Sequence, residues 1–299
     1  MTNHLLNAAV WGDSYDIYNT ADALGFKTNS FHHAVLSPTQ RLSEDFLVNS
    51  RLRRHDPELN NSIEMYLEDA GVSMISLLGN EDMHANQCLS LPESIPLHLE
   101  VGAALVRRRS ARQYTGDKIS CSVLATIIRS AMGVTASAEI TLEDESQVRL
   151  HFRSIPSSGG LYPLDLYIVV IHVQGINPGI YRYLPKQDQL IKVADQDSIP
   201  GILDACSVSD DSINCSRANA LFLLSGQAWR CMRKYGNRGM RFLFQECGAI
   251  AQNINLAVTA LGLGSVECGG FYDDEVNKLL KLDGVFNAFL HAIVVGVSE

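Results

Sequence analysis

Three short stretches carry residues whose types and spacing could do chemistry. Arg108-Arg109-Ser110-Ala111-Arg112 sets three guanidinium groups and a hydroxyl within five residues. The planar Arg fork matches phosphate oxygens, so this run could clamp a phosphate; a solvated basic turn has the same composition. In Pro156-Ser157-Ser158-Gly159-Gly160 the adjacent glycines let the backbone approach a flat ligand, and the hydroxyls and amides can donate to it. A plain tight turn is equally consistent, and Gly269-Gly270 raises the same pair of readings. Lys234-Tyr235 opens a stretch that continues through Arg238 to Arg241. A lysine beside a tyrosine and other cations can have a depressed pKa and act as a base at neutral pH. No Gly-x-Gly-x-x-Gly or P-loop pattern is present, so a Rossmann or Walker phosphate site is unsupported.

These stretches need elements to hold them. Leu99 to Arg109 reads as a helix that delivers the arginine run. Ser120 caps a second helix with Val123, Leu124, Ile127, Ile128 and Met132 on one face, and Gly133 ends it. Thr135 to Arg149 is polar and reads as a surface loop. Leu166 to Val173 is nearly continuous apolar and β-branched, the pattern of a buried strand, and Ile180 to Leu184 returns beside it after a Gly/Asn/Pro turn. Ala220 to Leu224 and Phe289 to Val295 read as further strands. The longest helix runs from Arg241 to Leu261 with few charges, predicting burial nearly all round. Asp273 caps a short helix with Val276, Leu279 and Leu280 inward. Helices alternating with strands around a long helix indicate an α+β domain from about residue 99 to 299. Residues 1–98 read as an N-terminal extension, mostly helical, closed by an extended link at Pro92 and Pro96.

Composition narrows the class. The chain has 299 residues, 46% hydrophobic and 19% charged, with a formal net charge of −9. The acidic balance argues against a nucleic-acid-coating protein. No apolar run approaches the ~20 residues of a membrane span, and the start lacks a signal-peptide pattern, so a soluble cytoplasmic protein is expected. Seven scattered cysteines without a Cys-x-x-Cys pair predict free thiols rather than a zinc or thioredoxin-like site, and no metal is expected.

Taken in order, these motifs resemble a family. Arg-Arg-Ser-x-Arg is followed by Pro-Ser-Ser-Gly-Gly-Leu-Tyr-Pro before a strand, then Ile-Tyr-Arg-Tyr-Leu-Pro and Lys-Tyr-Gly-x-Arg-Gly-x-Arg. A helix carrying Gly248, Gln252 and Asn253 and the run Gly-Gly-Phe-x-Asp-Asp complete it. The order resembles the SagB-type (microcin-type) azoline dehydrogenases of the nitroreductase superfamily over residues 99 to 297. The resemblance implies an FMN-binding α+β fold, with a central, mainly antiparallel sheet flanked by helices, that works as a homodimer. It places the flavin phosphate at Arg108, Arg109, Ser110 and Arg112 and the ring against Pro156, Ser157, Ser158, Gly159 and Gly160. Gly269 and Gly270 would face the reactive nitrogen of the ring, and the catalytic pair falls on Lys234 and Tyr235. The basic residue that many flavin reductases of this fold place after the last strand has no counterpart in Val295 to Glu299.

The implied reaction is oxidation of a thiazoline or oxazoline in a ribosomal peptide to the thiazole or oxazole, with dioxygen as the final acceptor. A cyclodehydratase complex is the implied partner. Two rival functions remain at this level: an NAD(P)H-dependent reductase of small nitro compounds or quinones, and a non-catalytic FMN-bound scaffold.

Overall fold

A computed structural model describes residues 42–52, 57–69, 71–72, 88–141 and 147–299. Of the expected N-terminal extension, residues 1–41, 53–56, 70 and 73–87 lie outside the described residues. The chain forms two compact units, Met1–Asp56 and Pro57–Glu299. The described part of the first holds helix α1 (Leu42–Asn49). The second opens with helix α2 (Pro57–Glu68) and strand β1 (Cys88–Ser90).

The centre of the larger unit is a seven-stranded sheet in which every pairing is antiparallel. Its strands are β1, β5 (Leu164–Val170), β7 (Gly179–Leu184), β8 (Gln189–Asp195), β9 (Ala220–Gly226), β10 (Gly264–Cys268) and β11 (Ala288–Gly296). They lie in the order β1-β8-β7-β5-β9-β11-β10. A separate short parallel pair joins β2 (Ile119–Ser120) to β6 (Val173–Gln174). The apolar runs at 164–170, 220–226 and 288–296 are near-continuous because both faces of these strands are buried. Side chains alternate between two cores. Leu166, Ile168, Val170, Phe222, Leu224, Ile293 and Val295 face helices α4 (Cys121–Met132) and α7 (Gly239–Ala260). Tyr167, Val169, Leu221, Leu223, Ala292 and Val294 face α5 (Ile199–Asp204) and α8 (Asp273–Leu280).

The Ser120 cap forms as expected: its side chain accepts from the Val123 amide at 3.3 Å. Arg129, on the last turn of α4, pairs with Asp188 at 2.7 Å and donates to the carbonyls of Pro92 and Leu91. One guanidinium thereby fastens the irregular link at 91–94 to the sheet. All seven cysteines are free thiols.

Three expectations need correction. The stretch expected to be a loop from Thr135 to Arg149 is instead a hairpin of β3 (Val134–Thr141) and β4 (Gln147–Arg153), with residues 142–146 outside the described ones. Alternation of Ala136, Ala138 and Ile140 supplied the strand period, and the intervening polar residues concealed it. Helix α7 is not buried all round: Phe244, Gly248 and Gln252 form an exposed stripe stepping four residues at a time, with Gln245 exposed beside it. Asp273 does not cap α8. Tyr272 occupies that position without a side-chain cap bond, and Asp273, Asp274 and Glu275 fill the first turn, where carboxylates suit the positive end of the helix dipole.

Candidate functional site

Strands β5 and β9 set the frame. Leu164 pairs with Gly226, so the loop arriving at β5 and the helix leaving β9, α6 (Ala228–Tyr235), share one end of the sheet. Gln227 ties them together: its amide donates to Pro163 O, and its side chain donates to Asp165, each at 2.8 Å. The loop carries a single 3₁₀ turn at Ser158–Gly160, with Gly159 and Gly160 at φ +65° and +66°. Upstream, Asn253 of α7 donates from Nδ2 to Ser130 O and Ser154 O, at 3.0 and 3.3 Å. The Gln-Asn helix motif therefore positions the glycine loop through Asn253.

The loop meets the Lys-Tyr pair directly. A Cβ at Gly159 would lie 2.6 Å from Tyr235 Oη and 3.1 Å from Lys234 Nζ, so only glycine admits this approach without displacing them. Lys234 Nζ lies 5.1 Å above the ring centre of Tyr66 and 5.5 Å above that of Tyr235. Tyr235 packs edge-on against Phe242 at 5.0 Å. Burial lowers the Lys234 pKa; neighbouring cations, the cause expected from the sequence, are not what depresses it. Burial raises that of Tyr235, reinforced by Cys231 and Tyr66. The two shifts separate the roles: the amine becomes a better base near neutrality, and the phenol stays protonated as a donor.

Beside the loop lies a cleft of about 230 Å³ lined by Pro156, Ser157, Ser158, Phe242, Gln245, Glu246 and Ala249. Glu246 is only 4% exposed. Burial pushes its pKa up to about 7, against the opposing pull of the Ser157 hydroxyl, Arg153 and Arg230. Its Oε1 is buried without a hydrogen-bond partner.

Sequence reasoning missed Glu246, Tyr66 and Phe242. Glu246 carried a usable signal, a carboxylate three residues after Leu243 and four before Ile250 on the buried face of α7. Tyr66 carried none, since nothing local to α2 relates it to α6.

The arginine run sits elsewhere on the sheet. Helix α3 (Val101–Arg107) ends, and the chain extends along the outer edge of β10, where Ala111 N donates to Ser265 O at 2.9 Å. A Cβ at Gly264 would overlap Ala111 and Ser298, so glycine is needed for this close approach. Tyr114 anchors the segment by donating to Ala111 O and Val294 O. Arg109, Ser110 and Arg112 are exposed and Arg108 is half-buried. Arg109 donates to the carbonyls of Val106 and Arg108, and Arg112 to Ser110 O. Among the described residues no carboxylate pairs with any of the three guanidiniums, which leaves their donor capacity for an anion.

At the far end of β10, Gly269 is exposed while the Gly270 carbonyl accepts from Ser207 N and Oγ, at 2.7 and 2.9 Å. Four residues separate Ser265 from Gly269, roughly 13 Å at ~3.3 Å per residue. The expected site residues thus fall into two groups. Pro156 to Gly160 meets Lys234 and Tyr235, and the arginine run and Gly269-Gly270 flank β10, which is separated from β9 by β11.

Comparison with known proteins agrees with this architecture. The chain is 32% identical over 194 residues to a nitroreductase-type protein of Methanocaldococcus jannaschii, covering 65% of this chain and 89% of the relative. Among solved structures, a nitroreductase-type protein of Anabaena variabilis matches with TM-score 0.64 and 20% identity. That match covers 90% of this chain but 49% of the other, so the chain spans about half the length of that relative. A chain of the E. coli microcin synthetase McbBCD complex, solved with truncated pro-MccB17 bound, matches with TM-score 0.55 and 19% identity over 92% and 98% of the two chains. At these identities the structural matches show the shared fold. The Nitroreductase family model matches residues 105–297, and the chain belongs to that family.

Proposed function

We propose that this protein is an FMN-dependent dehydrogenase that oxidises thiazoline or oxazoline rings of a ribosomally made peptide to thiazoles or oxazoles. The observation that carries the reading is the contact of Gly159 with Lys234 Nζ and Tyr235 Oη: a side-chain-free strip of backbone lies against a base and an acid whose pKa values are pushed in opposite useful directions. Family members typically bind FMN, and the residues present fit it. The glycine loop offers a flat surface flanked by the Ser157 and Ser158 hydroxyls, and the carboxylate-free arginine run on β10 offers phosphate donors. When bound, FMN supplies the hydride acceptor, with dioxygen as the final acceptor.

In this reading Lys234 removes the proton from the ring carbon next to the peptide carbonyl as the hydride leaves the neighbouring carbon. Loss of that proton and hydride converts azoline to azole. Tyr235, held protonated, donates to an acceptor atom of the ring and fixes its orientation. The rings of Tyr66 and Tyr235 keep water from the amine and so maintain its lowered pKa. The microcin synthetase complex that shares this fold was solved with a peptide bound, which supports a peptide substrate and a partner complex. The exposed Phe244-Gly248-Gln252 stripe of α7 supports a homodimer. In this reading residues 99–299 are the FMN-binding domain and residues 1–98 are an extension that contacts partner proteins or covers the dimer, with its α2 packed into the larger unit and lending Tyr66 to the site.

The test is Lys234→Ala. The variant should purify yellow with FMN bound and produce no 2 Da mass loss from an azoline peptide. Turnover at the wild-type rate would refute the assignment. Rapid bleaching of the flavin by NADPH, with no azole formed, would favour the small-molecule reductase instead.

A further inference from the structure

Ser157 Oγ stands between two neighbours. It accepts from the Tyr162 amide at 2.8 Å, and the Glu246 carboxyl lies near enough for the hydroxyl to pull its pKa down. Glu246 Oε1 is buried without a hydrogen-bond partner. Both side chains line the cleft beside the glycine loop.

A hydroxyl has one proton and two acceptor sites. With the Tyr162 amide filling one acceptor site, the direction of the Ser157 proton depends on what Glu246 carries. An ionised Glu246 takes that proton as an acceptor, leaving Ser157 nothing to donate. A protonated Glu246 donates into the second acceptor site of Ser157, and the hydroxyl proton turns outward. The orphaned oxygen favours the second state, because a buried carboxylate oxygen without a partner costs more than the carbonyl oxygen of a neutral acid.

We propose that Glu246 is a positioning residue: carrying a proton, it donates to Ser157 and turns the Ser157 hydroxyl into the cleft as a donor to an acceptor atom of the flat heterocycle bound there. This rests on the reading of the cleft as part of the FMN site. The charged and titratable groups facing Glu246 are Arg153 at the end of β4, Arg230 and Cys231 of α6, and Cys247 of its own helix. Asp165 of β5 acts on both arginines and offsets their pull on the carboxylate. With burial the strongest influence on Glu246, its proton leaves near neutral pH.

The experiment measures FMN affinity of the full chain between pH 6 and pH 9 by quenching of flavin fluorescence, for wild type, Glu246→Gln and Ser157→Ala. Wild-type affinity should fall roughly three- to tenfold as pH rises through about 7, the weight of one hydrogen bond. Glu246→Gln donates an amide proton to Ser157 at every pH and should hold the tight, low-pH affinity throughout. Ser157→Ala should be weak at every pH. Titration of the FMN phosphate is common to all three proteins and cancels in their ratios.

A wild-type to Glu246→Gln ratio that stays constant across the range overturns the proposal. Absence of FMN binding by wild type overturns the functional reading instead. Glu246 is then judged without flavin, by titration of ¹³C-glutamate resonances assigned through Glu246→Gln. A midpoint near 7 supports the proton-holding role, and one in the ordinary carboxylate range overturns it.

Discussion

Gly159 and Gly160 provide a matched pair of perturbations. Both have left-handed φ angles, +65° and +66°, so an alanine at either one carries the same backbone penalty of roughly 1–2 kcal/mol. They differ in what the new Cβ meets. At Gly160 nothing lies within 4 Å, whereas at Gly159 the Cβ would sit 2.6 Å from Tyr235 Oη and 3.1 Å from Lys234 Nζ. Both atoms are the free ends of flexible side chains and can swing aside, so the added crowding is at most ~1 kcal/mol.

Gly160→Ala should therefore lose ~1–2 kcal/mol and Gly159→Ala ~1–3 kcal/mol. Thermal midpoints should drop in proportion, roughly 2–4 °C per kcal/mol for a domain of this size. The excess belongs mainly to the nearer atom, Tyr235 Oη, so it should shrink when that atom is removed. In a Tyr235→Phe background the next nearest atoms are Lys234 Nζ at 3.1 Å and the ring carbon Cζ of residue 235 at 3.5 Å. Gly159→Ala should then cost about as much as Gly160→Ala. Chemical denaturation of the four proteins of this cycle, with Gly160→Ala as reference, measures the coupling. Equal losses for the two glycines, together with unchanged azoline turnover by Gly159→Ala, would refute the contact on which the site is built.

The stability of the protein should also report Glu246. Its folded-state pKa is raised from 4.5 to about 7, so its contribution is fully present below ~4.5 and lost as pH rises to about 7. Wild type should lose on the order of 3 kcal/mol relative to Glu246→Gln between pH 4.5 and pH 8, because each tenfold change in proton affinity is worth ~1.4 kcal/mol. Urea unfolding at several pH values gives this difference, and a flat difference would contradict it. Replacing Arg108, Arg109 and Arg112 together with Gln should weaken FMN at least tenfold while leaving riboflavin binding nearly unchanged, as measured by fluorescence titration. Equal loss for both ligands would remove the run from the phosphate site. Asn253→Ala deletes both donations from Nδ2 and should cost ~1–3 kcal/mol. Hydrogen exchange should show faster opening at 154–160, and unchanged exchange there would mean that α7 does not hold the loop.

The strands were legible in the sequence wherever burial on both faces made the apolar runs continuous, as at 164–170 and 220–226. The β3–β4 hairpin was not, because its exposure puts polar side chains between the apolar ones and weakens the period. The Lys234-Tyr235 pair and the glycine loop could be marked in the sequence as separate motifs. Their contact could not, since it depends on Leu164 pairing with Gly226 across 62 positions of chain. Glu246 was visible only as an acid in the wrong register of a helix, and its orphaned oxygen is a property of packing alone.

The pairing of Leu164 with Gly226 has a consequence for how such a site can change over time. The glycine loop and the Lys-Tyr helix hang from adjacent strands that are buried on both faces, so their separation is inherited from strand register. A slip of one residue would shift one against the other by about 3.3 Å and also exchange the side chains packed in the two cores. The distance between acid, base and backbone is therefore insulated from drift at the surface. Novelty in what the protein acts upon is free to arise only in parts that hang from other anchors: the Tyr66 helix, the exposed hairpin and the open flank of α7.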